Sequence, residues 1–226
     1  MSYEFDWPFV LRVLPRFGDA LVVTIGVFLT ALLISTSGAM LLAFLSRTLR
    51  RGRLAPLHGL LTAFSWLFRG LPELIVLLFA YLALPRLGLD LSPFWAAVAG
   101  LAAIGMAYEY EIFRGALNAV PEGQFEAARA LGLGRLPLYG RVVLPQVLRI
   151  AITPYITFAC GSLKRTSVAS AVAVPEIMGL SKRFNEAFQK PFELMLIALV
   201  LYALLSSILM ALEQYFDRRL QRSAVR

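Results

Sequence analysis

The sequence predicts an all-α membrane protein with five transmembrane helices. Hydrophobic residues make up 59% of the 226 residues and only 16% are charged, where soluble domains carry about 25%. Mean hydropathy is +0.72. Long apolar stretches recur, close to the roughly 20 residues that a helix needs to cross the hydrocarbon core. The formal net charge of +8 reads as loop anchoring at a membrane surface. No basic run is long enough to follow a nucleic-acid backbone. Cys160, the single cysteine, lies in an apolar stretch and can form no internal disulfide.

Residues 1–19 mix Glu4, Asp6, Arg12, Arg16 and Asp19 with Pro8 and Pro15. That is no cleavable signal, and the expectation is an N-terminal extracytoplasmic segment. Tyr3, Phe5, Trp7 and Phe9 suit an interfacial aromatic belt. One transmembrane domain then covers 20–216. Its first span, 20–46, holds no charge. The second, about 57–84, carries Arg69-Gly70-Leu71-Pro72-Glu73 and is expected to break or kink at Gly70 and Pro72. The third is 92–116. The fourth, 145–164, is interrupted by Arg149 and by Thr153-Pro154. Thr166 to Pro175 is too short to cross and reads as a re-entrant or gate-like piece, which needs protein cover. The fifth span is 193–213, and 217–226 is a cytoplasmic tail.

Loop charge sets the orientation. Arg47, Arg50, Arg51 and Arg53, then Arg129, Arg135 and Arg141, then Arg218, Arg219, Arg222 and Arg226 fall on one side. Arg12, Arg16 and Arg86 fall on the other. The N-terminus is therefore expected outside and the C-terminus in the cytoplasm. Lys164, Arg165, Lys182, Arg183 and Lys190 pull against this count.

The stretch "FEAARALGLGRLPLYGRVVLP" faces the cytoplasm in this topology, within a loop at 121–141. Pro121 suits a first helical turn, and Glu122 and Glu126 suit its positive end. Ala127, Ala128 and Ala130 favour helix and leave a shaved surface, and Gly132 can end it in a left-handed conformation. Small side chains let another protein's backbone come close. An interfacial helix lying on the membrane fits the same pattern.

Glu126-Ala127-Ala128, Gly132, then Val142, Leu144 and Pro145 resemble, in register, the EAA loop of ABC importer permeases, with Val142 in an isoleucine place. The likeness extends over most of the chain. "FRGLPELIVLLFAY", "AYEYEIFRGALNAVPEGQFEAARALG", "LKRTSVAS" and "VPEIM" resemble the polar amino acid branch, nearest in flavour to histidine, basic amino acid and opine permeases. The resemblance implies a type I ABC importer permease fold. It implies that Gly123, Glu126, Ala127, Ala128, Gly132, Leu144 and Pro145 couple to an ATPase. Two ABC ATPase subunits, a second or sister permease and an extracytoplasmic solute-binding protein are the implied partners, in a bacterial inner membrane. Glu109 and Arg165 depart from the pattern.

Ionisable residues within spans are expensive and mark functional paths. Glu111 and Arg114 are spaced for a helix-surface ion pair. Glu109 has no basic neighbour in sequence and is the candidate for a cationic substrate group. Arg69, Lys164 and Arg165 are candidates for a substrate carboxylate, with Thr166 and Ser167 as hydroxyl donors. A structural Arg69–Glu73 pair, and snorkelling by Lys164 and Arg165, remain open. No G-x-x-x-x-G-K-[ST] motif is present to cradle ATP phosphates, and no catalytic constellation or metal cluster is visible. ATP and Mg would sit in the partner subunits, and this chain is expected to bind no cofactor. The competing readings are an ion-coupled secondary carrier using Glu109 or Glu111, which lacks inverted repeats, and a membrane scaffold.

Overall fold

The structure, a computed structural model, describes residues 4–49 and 55–224. Tyr3, Arg50, Arg51, Arg53 and Arg226, used in the reading above, lie outside the described residues.

Within the expected N-terminal segment, residues 7–13 and 16–19 are helical. Helix α1, Trp7–Val13, begins at Asp6, whose carboxylate accepts from the Phe9 N–H at 2.9 Å and pairs with Lys190 at 3.1 Å. That backbone hydrogen bond first, and Lys190 second, hold the Asp6 carboxyl below its ordinary range. Phe9, Val10 and Val13 bury their side chains against Ile177 and Leu194. Helix α2 then runs from Arg16 to Leu49.

Helix α5, Pro93–Ala119, packs along α2. Lipid is as apolar as a helix face, so close van der Waals contact must hold helices together. Small residues permit it. A Cβ on Gly38 would lie 2.3 Å from Met106 Cε, and one on Gly105 3.0 Å from Ser35 Cβ. Ala39, Ala97 and Ala107 are fully buried.

The expected kink in the second span is a corner. Helix α3, Ala55–Gly70, and helix α4, Glu73–Leu78, with the π and 3₁₀ turns that follow α4, meet at 106°. Pro72 supplies no N–H and drives Leu71 out of the helical region. Among the described residues, four helices are long and apolar enough to cross, or five if the bent pair is one span.

After α6, Glu122–Ala130, and the short α7, Arg135–Pro137, a π turn leads into α8, Leu144–Arg165. The expected interruptions at Arg149 and Thr153-Pro154 are absent: α8 runs continuously through both, with Pro154 inside the helix. Nor is Thr166 to Pro175 a separate re-entrant helix. Thr166–Val172 continues α8 as a 3₁₀ turn and stops at Ala173, at φ 61°.

Helix α9, Ile177–Phe188, has no counterpart in the sequence reading. Its cap is Glu176, fully buried, which accepts from Met178 N at 2.8 Å, Gly179 N at 2.7 Å and the Tyr202 hydroxyl at 2.7 Å. Burial pushes the Glu176 carboxyl up from its ordinary range despite these donors. Helix α10 runs from Pro191 to Ala224, longer than the expected 193–213, so the 217–226 tail is helical through Ala224.

A Cβ on Gly179 would sit 2.1 Å from the Val174 carbonyl oxygen, whereas one on Gly115 meets nothing within 4 Å. Overpacking against backbone costs about 1–3 kcal/mol. Gly179→Ala should lower the melting temperature in detergent, and Gly115→Ala should leave it unchanged or raise it. A carboxyl with a raised native pKa contributes its full stability below the ordinary range and loses it as pH rises through the raised value. Glu176→Gln should therefore flatten the fall in stability as pH rises above the ordinary carboxylate range, measured by thermal unfolding.

Candidate coupling surface and translocation cavity

Helix α6 ends as the sequence implies. Gly132 adopts φ 71°, its N–H bonds the Arg129 carbonyl at 2.9 Å, and the Leu133 N–H bonds the Ala128 carbonyl at 3.0 Å. This is a Schellman motif, in which glycine takes the left-handed position without a side-chain clash. Pro121 occupies the cap immediately before the first turn. Gly123, Glu126, Ala127 and Ala130 face outward. Leu131 and Leu136 project beside them at 80% and 86% exposed. Ala128 departs from expectation. It points inward with Phe125, and the two are 4% and 1% exposed, so the shaved surface rests on Gly123, Ala127 and Ala130.

Two residues that sequence reasoning missed hold α6 in place. The Arg47 guanidinium lies 4.0 Å over the Phe125 ring, and its Nη2 pairs with Glu122 at 2.9 Å. Phe125 also joins the cluster containing Leu138, Val143 and Val147. Leu144 is half-buried and Pro145 exposed at the start of α8. Phe125 lies three residues before Ala128, a helical spacing that marks an inward face. Nothing in sequence pointed Arg47 at it.

The charged residues at membrane depth sort into two groups. Glu111 pairs with Arg114 as its spacing implies and accepts from Ser65 at 3.0 Å. Arg69 turns toward Glu111 at 4.0 Å. The Arg69–Glu73 pair does not form, because the corner between α3 and α4 destroys the helical register that would align them. Glu73 instead reaches Arg165 at 2.9 Å. Arg165 does not snorkel away, since it lies 5.1 Å from the Phe158 ring centre and 5.5 Å from that of Tyr108.

Glu109 is fully buried. The Ser35 hydroxyl donates to its Oε1 at 2.8 Å, while Oε2 has no hydrogen-bond partner among the described residues. Thr166 donates to the Leu163 carbonyl at 2.6 Å and lies 3.3 Å from the Tyr202 hydroxyl. Ser167 donates to the Lys164 carbonyl at 2.8 Å, and Lys164 is exposed. A cavity of about 20 Å³ lies between α2, α5 and α8, with Ser35, Ser162, Arg165 and Thr166 as its polar wall. Of the sequence candidates, Arg165 and Thr166 line it and Glu109 stands behind Ser35. Arg69, Glu111, Lys164 and Ser167 do not line it.

Residues 39–222 match the family described as binding-protein-dependent transport system inner membrane component. The chain belongs to this family. It is similar to the "Probable amino-acid permease protein YxeN" of Bacillus subtilis, 32% identical over 96% of each chain. It is also similar to the "Histidine/lysine/arginine/ornithine transport system permease protein HisM" of Salmonella typhimurium, 36% identical over 69% of this chain and 71% of the other. A solved amino acid ABC transporter shares the fold, with a TM-score of 0.84 at 24% identity over 96% of this chain and 100% of that chain. This is thus a multi-pass permease component of an ABC importer, and the secondary-carrier reading falls away.

Truncating Phe125 should detach α6 from the core of this permease. A Phe125→Ala change removes a buried ring, at about 3–5 kcal/mol. It should lower the melting temperature and make the 121–141 loop sensitive to limited proteolysis. Glu126→Gln, on the exposed face, should change neither.

Proposed function

We propose that this permease moves amino acids across the bacterial inner membrane, driven by ATP hydrolysis in two partner ABC ATPases that dock on α6. The observation that carries the coupling role is the outward face of α6. It presents Gly123, Glu126, Ala127 and Ala130 beside the exposed Leu131 and Leu136, while Phe125 and Ala128 root the helix in the core. A small-residue knob flanked by exposed leucines, outside the spans, suits a cleft in another protein. Because it is rooted through Phe125 and Arg47, a push on the knob reaches α2 and α8. Gly132, Leu144 and Pro145 serve by ending the helix and setting the angle of α8.

The substrate class is supported by the relatives named as amino-acid permeases. The remaining partners in this reading are a second or sister permease and an extracytoplasmic solute-binding protein. The loop arginines support an N-terminus outside and a C-terminus in the cytoplasm. ATP and Mg belong to the ATPases.

Tagged chain pulled from native membranes should bring ATPase activity with it. A Gly132→Asp variant, which forces a side chain into the left-handed conformation at about 1–2 kcal/mol, should bring several-fold less. An abundant, folded wild-type chain that co-purifies with no ATPase would sink the coupling role. In parallel, uptake should persist when ion gradients are collapsed at constant ATP.

A further inference from the structure

The Glu73–Arg165 pair joins two elements that the sequence separates widely, and its Arg165 lines the cavity between α2, α5 and α8. The pair runs through Arg165 Nε. A guanidinium carries five donors in a planar fork, and two of its nitrogens are thus left for another carboxylate. Gly161 lies one turn earlier on α8, beside Arg165 Nη2. The Phe158 and Tyr108 rings hold the guanidinium in orientation.

The other polar end of the cavity is Ser35, backed by the fully buried Glu109. An unpaired buried carboxyl is costly unless a donor or cation meets it. The rest of the wall includes Phe28, Leu32, Leu101 and Ile104. In this conformation the cavity is about 20 Å³, enough for roughly one water, so an amino acid fits only if the helices around it part and Arg165 is freed to face it. Glu73 is the anion that holds Arg165, beside the apolar packing of Leu77 and Leu78 against Ala169 and Val172.

Resting on the amino-acid reading above, we propose that this cavity is a zwitterion site that opens by carboxylate exchange at Arg165. The substrate carboxylate replaces Glu73 on the guanidinium, and the substrate ammonium takes Ser35 and Glu109. Arg165 is never left without an anion, which membrane depth would make expensive. With both polar ends so used, the apolar wall receives the side chain. The substrate class is therefore an amino acid with an uncharged side chain, in contrast to the cationic substrates named for one relative.

The test is equilibrium binding of radiolabelled L-glutamine and L-leucine to the purified permease–ATPase complex without any solute-binding protein. Wild type should bind at least one of them, with unlabelled L-lysine and L-leucinamide competing at least tenfold more weakly. Arg165→Gln should weaken binding at least tenfold, Arg165→Lys less so, and Glu73→Gln should tighten it by removing the competing carboxylate. The double exchange E73R/R165E restores an ion pair between α4 and α8 with the charges reversed. It should assemble and still not bind. Wild-type affinity in Arg165→Gln or in the double exchange would reduce the pair to a structural tie and overturn the proposal. Equal competition by L-lysine, or no binding of either probe by wild type, would overturn it too. Co-purified ATPase activity in the same preparation reports separately on the importer reading.

Discussion

The close approach of α2 and α5 is the constraint on which the rest of the molecule depends. Two helices in lipid gain nothing by hiding apolar surface from each other. They gain contact only where the side chains are small enough to let them meet. Gly38, Gly105, Ala39 and Ala97 supply that, and the consequence is chemical. At this distance Ser35 reaches Glu109, and Tyr110 donates to Ser46 at 3.0 Å. A larger residue at position 105 would push Ser35 off the carboxyl and alter the cavity wall.

The ends of the helix pair serve different purposes. At one end Arg47 of α2 spans from Glu122 to the Phe125 ring and fixes α6 to a 34-residue helix. At the other, Thr24 of α2 accepts from the Ile177 N–H at 3.2 Å, beside the Glu176 cap. Tyr202 then links that cap to Thr166 on the cavity wall. One helix thus touches α6, the cavity and the α9 cap. A movement that tilts α2 cannot leave any of the three unchanged.

Arg165 and Glu73 illustrate how a corner decides chemistry. Had α3 run straight into α4, Arg69 and Glu73 would have faced one another at one-turn spacing. The turn through Pro72 sends Arg69 toward Glu111 and Glu73 toward Arg165. Two ion pairs that each join separate helices replace one local pair. Each then resists relative motion of the helices it joins.

The number of spans, the break at Gly70 to Pro72, the helix at 122–130 with its glycine stop and the Glu111–Arg114 pair were all legible in the residues. Each rests on local physics: apolar length, missing backbone donors, permitted backbone angles, or a spacing of three. Family membership was legible from the fixed spacing of Glu126, Gly132 and Pro145. Helix α9 was not, because its cap is a glutamate whose support comes from Tyr202, and its buried face is defined by α2, α10 and the turn at Thr166–Val172. The inward turn of Ala128, the reach of Arg47 and the partner of Glu73 were equally out of view. Sequence alone determined which segments could lie in a membrane and where they must bend. Only the tertiary structure decided which charges meet, because partners some 75 or 92 positions apart are chosen by packing and bend angles that no local pattern encodes.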